Sequence, residues 1–243
     1  MIPEISFIYI CYRDDINSLS STNFFLQKQK KVWSDLIPQE NIEIIFIDDC
    51  SSPPIEIDEV KPETELNFHM YRINDDIKWN IGGARNLGVE MSHKKWVYVL
   101  DLDLVLNNQI VRQLLETVTQ INSKPCYFKT NRQRKDKPVP PGCFCIKKED
   151  FQQYGKYDED YAGDYSCGEK LLYRRLNQKL QYMEFPNIVL EYIDDPISKT
   201  PAYKNARQIT NRKKKLDQMK FQQIDTGVYQ LGKTLRFNWK KII

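Results

Sequence analysis

Two aspartates one residue apart, Asp101 and Asp103, follow directly on the apolar run 96–100, and that placement makes them chemically interesting. A strand reaching its end sends alternate side chains to one side, so both carboxylates can face one ligand while Leu102 packs inward. Hard oxygen donors suit Mg2+ or Mn2+, ions that keep water or phosphate oxygens in their remaining positions instead of being caged by protein. A diphosphate completes such a site. The pattern occurs twice more, with Asp14 and Asp15 trailing the run 5–12, and Asp48 and Asp49 trailing the run 42–47. In open parallel α/β sheets ligands bind beyond the carboxyl ends of the strands, so these acids are expected to converge on one crevice.

The elements that must position them alternate strand and helix. Runs 5–12, 42–47 and 96–100 are continuously apolar and rich in Ile, Val, Phe and Tyr, as expected of strands covered on both faces. Weaker strands are expected at 68–73, 126–130 and 143–147. Between them, Thr22 is placed to cap a helix carrying Phe25, Val32 and Leu36, which Pro38 stops. Gly82 and Gly83 make a tight turn into a second helix with Ala84, Leu87 and Met91 on one face. Asn107 or Asn108 caps a third, bearing Val111, Leu114, Leu115, Val118 and Ile121. Segment 131–142 is a basic, Pro-rich loop with the makings of a lid. A short helix at 149–153, an acidic loop at 156–168 and a helix at 169–180 with Leu172, Leu176 and Leu180 on one side follow. The tail is expected to add a strand pair over 181–193, a basic helix over 201–220 and a closing segment, 231–240, whose aromatics pack on the core.

Length and composition narrow the class. At 243 residues, with 41% apolar and 28% charged residues, the chain has the balance of one globular α/β domain spanning 1–243, its first half (1–105) holding the strand-end acids and its second (106–243) the remainder. The longest apolar run, 5–12, is far short of the roughly 20 residues of a membrane-spanning helix, and no signal-peptide pattern precedes it, so a cytoplasmic location is expected. Net charge of +3 argues against a nucleic-acid partner, while the basic clusters 129–137 and 212–215 leave peripheral membrane contact open. The six cysteines form no CxxC, and with two histidines, His69 and His93, a Cys/His zinc site has little to draw on; buried free thiols are expected.

Four ordered segments together resemble the inverting family 2 glycosyltransferases and their GT-A-fold relatives. Ile44 through Ser52, Ile-Ile-Phe-Ile-Asp-Asp-Cys-Ser-Ser, is similar to the family's strand ending in Asp-Asp-x-Ser. Asn80 through Gly88 resembles its Ala-Arg-Asn-x-Gly segment, Asp101 to Asp103 its DxD, and the stretch 142–169, with Tyr157-Asp158-Glu159-Asp160-Tyr161-Ala162-Gly163, its Gly-x-x-Asp-Glu-x-Phe-x-Gly region. The resemblance implies a GT-A-like α/β fold, a mainly parallel central sheet flanked by helices, and transfer of a sugar from a nucleotide-sugar donor, UDP-linked, to a glycan or other hydroxyl acceptor. It implies that Tyr12 and one of Asp48 or Asp49 line the nucleobase pocket, that Arg85 contacts base or diphosphate, that Asp101 touches ribose or metal, and that Asp103 binds Mn2+ or Mg2+ directly.

Inversion needs a carboxylate to take the acceptor proton. Relatives carry it in a Glu-Asp pair opening a helix; here the corresponding stretch is Gly168-Glu169-Lys170, which leaves Glu169, ahead of Asp158 and Asp164, as the candidate base. The histidine that often supplies a third metal ligand late in such chains has no counterpart beyond residue 93, which leaves Glu191, Asp194 or Asp195 as a substitute, or a metal held by fewer protein ligands with phosphate and water completing its shell. Two rivals remain: a sugar nucleotidyltransferase, which would need a Gly-rich phosphate loop that residues 11–15 lack, and a non-catalytic nucleotide- or glycan-binding relative, motivated by Lys170 where an acid is expected.

Overall fold

The computed structural model describes residues 3–13, 19–121, 123–132, 137–163, 168–194 and 211–243. Asp14, Asp15, Asp164, Cys167 and Asp195, and residues 133–136 of the basic loop, lie outside them. The elements in order are β1 (Ile5–Cys11), α1 (Leu19–Ser34), β2 (Ile42–Asp49), α2 (Ile57–Val60), β3 (Phe68–Ile73), α3 (Ile81–Met91), β4 (Trp96–Leu100), β5 (Leu104–Val105) and α4 (Asn108–Gln120). There follow β6 (Cys126–Arg132), β7 (Lys137–Pro138), β8 (Phe144–Lys147), α5 (Lys148–Asp150) running into a π-turn over Phe151–Gly155, α6 (Gly168–Leu176), β9 (Gln181–Tyr192), α7 (Asn211–Asp225) and β10 (Trp239–Lys241).

One sheet runs through both halves of the chain in the order β10-β3-β2-β1-β4-β8-β6-β9-β5, with β7 on β6. Its first half is parallel, 3-2-1-4, because each strand there is followed by a helical crossover. Strand order reverses direction between β1 and β4, so their carboxyl ends open a crevice. The second half is mixed: β8 runs antiparallel to β4 and β6, while β6 and β9 are parallel. β1, β2 and β4 are buried almost throughout, which is why they appear in sequence as unbroken apolar runs. Trp33 of α1 is fully buried against one face, its ring 5.1 Å from Tyr9 and 6.0 Å from Phe46. α3 covers the other face with Ala84, Leu87 and Val89.

Several boundaries differ from the sequence expectation. α1 begins at Leu19, so Thr22 is a buried position inside the helix and not its cap. Asn107 does cap α4, accepting from the Ile110 amide at 2.9 Å. The expected strand pair over 181–193 is one strand, β9, whose register against β6 jumps from Thr130↔Phe185 to Asn131↔Val189. Pro186 falls in that irregularity, where a residue without an amide proton does no harm to the ladder. The basic loop is shorter than expected because β6 continues to Arg132 and pairs with β7. At the far end Phe237 packs into the α3-side core and β10 adds an antiparallel edge to β3. Among the described residues, no helix is long and apolar enough to cross a membrane.

Candidate active site

β4 ends at Leu100, and the next residues turn at once: the Leu104 amide donates to the Asp101 carbonyl at 3.1 Å. Asp101 and Asp103 are therefore presented by a turn, not by an extended strand with alternating faces. Leu102 does pack toward the α1-side core. The turn is held from outside by Gln29 of α1, a fully buried side chain whose amide nitrogen donates to the carbonyls of Leu102 and Leu104, each at 2.8 Å. These two bonds bracket Asp103. One oxygen of Asp103, Oδ1, is buried without a hydrogen-bond partner. Burial, and next the charge of Asp101, push its carboxyl up to about 6. A buried acid with an orphaned oxygen beside a second carboxylate has a donor set that fits a divalent cation. Of the substitutes for a third ligand, Glu191 accepts from Asn107 at 2.8 Å.

Arg85 is the hub of the site. It sits in the first half of α3, 3% exposed, and its guanidinium reaches Asp101 Oδ1 at 3.1 Å, Glu169 Oε1 at 2.9 Å and the Tyr157 hydroxyl at 3.3 Å. It also lies over the Tyr157 ring, 5.5 Å from the centroid. Burial disfavours its charge, but Tyr157, Asp101 and Glu169 together outweigh that and raise its pKa further. The room it occupies exists because residue 142 is glycine: a Cβ there would lie 2.1 Å from Nη2. Glu169 enters from the first turn of α6, where the helix N-terminus favours its charge. Lys129 is a further cation of this region, its ammonium 4.4 Å from the Tyr173 ring centroid and its pKa lowered by burial.

The strand-end acids of β2 divide by face. Asp48 is fully buried and already engaged, accepting from the Ser51 amide at 2.9 Å, the Ile55 amide at 3.3 Å and Arg72 Nε at 2.7 Å. It shapes the loop after β2. Arg13, just past β1, ties into the same loop by a two-pronged contact with Glu59 and by donating to the carbonyls of Pro53 and Pro54. Asp49 points the other way, toward Asn80, which donates to it at 3.3 Å. Burial first, then Asp48 and Asp76, push its carboxyl up to about 7 against that hydrogen bond. Tyr12 follows directly on β1, with its side chain exposed.

A shallow hollow at the start of α3 is lined by residues 79–83, Asp158, Glu159, Tyr161, Ala162, Gly168 and Glu169. Asp158 borders it, but one oxygen accepts from the Asp160 amide and the other from Lys220 and the Tyr229 hydroxyl, so the carboxylate fastens α7 to the core. Glu159 likewise accepts from Asn86 and from the amides of Leu235 and Arg236. Gly163, at φ +91°, lets the segment turn back under Trp79. Gly83 is explained by packing, since a Cβ there would meet Asn80 Oδ1 at 2.3 Å and the Phe237 ring at 2.7 Å. Arg85, Asp101 and Glu169 are thus brought together with Asp103 close by; Asp48 and Asp158 are committed elsewhere. Gln29 carries no local signature of its place here, since it belongs to no charged or strand-end pattern; Gly142 and Tyr157 lie in the 142–169 stretch that resembles the family, but their contacts with Arg85 appear only in the fold.

The model of the family described as glycosyl transferase family 2 matches residues 26–180, from α1 through the turn after α6. The chain belongs to glycosyl transferase family 2. No curated protein matches it by sequence. Among solved structures, this family 2 chain is similar to residues 1–349 of TarS from S. aureus, with a TM-score of 0.62 and 12% identity over 78% of this chain and 60% of that one. The same TarS fragment in complex with UDP-GlcNAc gives a TM-score of 0.59 at 10% identity, over 79% of this chain and 59% of that one. In complex with UDP the values are 0.57 and 12%, over 77% and 59%. The chain thus spans about three-fifths of the length of those TarS structures, and the likeness is one of fold.

Proposed function

We propose that this family 2 chain is a metal-dependent inverting glycosyltransferase that moves a sugar from a nucleoside diphosphate donor, UDP-linked, to a hydroxyl of a glycan or similar acceptor. The observation that carries the proposal is the three-way clasp of Arg85 on Asp101 and Glu169 at the reversal of strand order, next to the unpartnered oxygen of Asp103. Asp101 and Asp103 would hold Mn2+ or Mg2+, leaving Asp101 Oδ1 with Arg85. Held by these two carboxylates, a divalent ion would supply positive charge to offset the negative charge developing on the departing nucleoside diphosphate. Asp49 and Tyr12 are the groups left to meet the nucleobase, since both oxygens of Asp48 are spent on the loop. The TarS complexes with UDP and UDP-GlcNAc support the choice of UDP as carrier.

In the transfer step the acceptor oxygen attacks the anomeric carbon as the bond to the diphosphate oxygen breaks, and Glu169 takes the acceptor proton. Arg85 holds Glu169 in place through their 2.9 Å ion pair, so the carboxylate is aimed before the acceptor arrives. The test follows thermal unfolding with UDP, with Mn2+ and with both. The pair raises Tm beyond either alone, and Asp103→Ala removes the joint effect. If UDP stabilises that variant in a Mn2+-dependent way as well as it does the parent, the metal assignment is wrong. Release of UDP from a panel of UDP-sugars separates an enzyme from a binding-only relative, which releases none.

A further inference from the structure

The only two histidines of the chain, 24 positions apart in sequence, meet at one buried carboxylate at the opposite end of the sheet. Glu43 is the second residue of β2, about 20 Å along the strand from Asp49 at ~3.3 Å per residue. It is fully buried, on the face covered by α3. Its two oxygens have different roles. Oε1 accepts from the Ser6 hydroxyl and the His93 amide, both at 2.6 Å, and Ser6 in turn accepts from the Lys94 amide. Oε2 faces His93 Nδ1 at 3.0 Å and His69 Nε2 at 3.7 Å.

We propose that Glu43, His69 and His93 form a transition-metal site, best suited to Zn2+, that clips β2, β3 and the connection from α3 to β4 together. The three candidate ligand atoms lie within 4.8 Å of one another. Bonds of about 2.0–2.2 Å put tetrahedral ligand atoms about 3.4 Å apart, so the 3.0 and 3.7 Å separations bracket the required edge. Imidazole with a single carboxylate favours Zn2+ over Mg2+ or Ca2+, which need more oxygen. Oε1, pinned by Ser6 and the His93 amide, leaves Oε2 aimed at the ion, the arrangement that outer hydrogen bonds give a ligand. His93 is more than half exposed, which gives the ion a path in and water a fourth position. The charges around the group are Glu43, Lys94 and Lys241; the two lysines limit affinity without occupying the ligand atoms.

The test uses the full chain stripped with EDTA and returned to Zn2+. Zn2+ at about a hundred times its Kd raises Tm by about 5–10 °C. His93→Ala and His69→Ala, both at partly exposed side chains, weaken Zn2+ binding at least about tenfold in calorimetry while UDP-sugar turnover is unchanged. Co2+ in place of Zn2+ gives visible d–d bands without a thiolate charge-transfer band, which separates this site from binding at cysteines. The proposal is overturned if Zn2+ leaves the parent's Tm unmoved, as a plain Glu43–imidazolium pair would, or if both histidine variants bind Zn2+ as tightly as the parent.

Discussion

Gly142→Ala tests the Arg85 clasp without replacing any charged group. The backbone at 142 is free of positive φ, so alanine is tolerated there by the main chain. Its Cβ, however, would lie 2.1 Å from Nη2, 2.4 Å from Nη1 and 2.5 Å from Cζ of Arg85, where ordinary contact is 3.4–4 Å. The guanidinium must retreat by about 1 Å, and hydrogen bonds that now measure 2.9 and 3.1 Å pass out of range. Two charge-assisted bonds at roughly 1.5–3 kcal/mol each set the ceiling, and rehydration of the partly exposed Asp101 reduces the net loss to about 2–4 kcal/mol. For a domain of this size that lowers Tm by about 5–15 °C. A displacement of about 1 Å at the reacting groups costs on the order of 100-fold in rate. UDP release from UDP-sugars with Mn2+, together with a melting curve, measures both, and Gly232→Ala, with open space around it, serves as the unaffected control. A Gly142→Ala protein with parental rate and Tm would refute the claim that Arg85 is held where the site needs it.

Glu169→Gln should lower the rate of sugar transfer by about 10²–10⁴-fold with little change in KM, whereas Asp158→Asn should chiefly lower Tm because it loosens Lys220 and Tyr229; equal kinetic defects in the two would contradict the assignment of the base. Asp49 has its pKa raised from 3.8 to about 7, so its favourable contribution is complete below about pH 4 and is lost as pH climbs through 7. That loss is on the order of 4 kcal/mol, and Asp49→Asn should flatten this part of the stability profile, which denaturant unfolding from pH 4 to 8 would reveal. Gln29→Leu removes the donor to the Leu102 carbonyl and leaves the Leu104 carbonyl only the Tyr9 hydroxyl at 3.4 Å, which should cost about 1–3 kcal/mol while weakening Mn2+-dependent UDP binding; unaltered binding would show that the turn holds itself.

The sequence alone carries the alternation of strands and helices, because strands covered on both faces must be apolar along their whole length, as 42–47 and 96–100 are. It also carries the family, through Asp-Asp-x-Ser, Ala-Arg-Asn-x-Gly and the Asp-x-Asp pair, and the expectation that Asp101 lies near Arg85. The tertiary structure decided what local pattern cannot contain. Asp48 and Asp49 are neighbours of the same type, yet the pleat turns one toward Arg72 and the loop and the other toward Asn80. Gln29 reaches the site from α1 with no pattern to announce it, and Gly142 and Tyr157, though part of the 142–169 stretch that resembles the family, meet Arg85 only in the fold. His69 and His93, too few in sequence to suggest a metal, lie beside one carboxylate because parallel strands bring the starts of β2 and β3 and the end of α3 to a common edge. Which acids are free and which are spent follows from burial and partner geometry, and those exist only once the chain is folded.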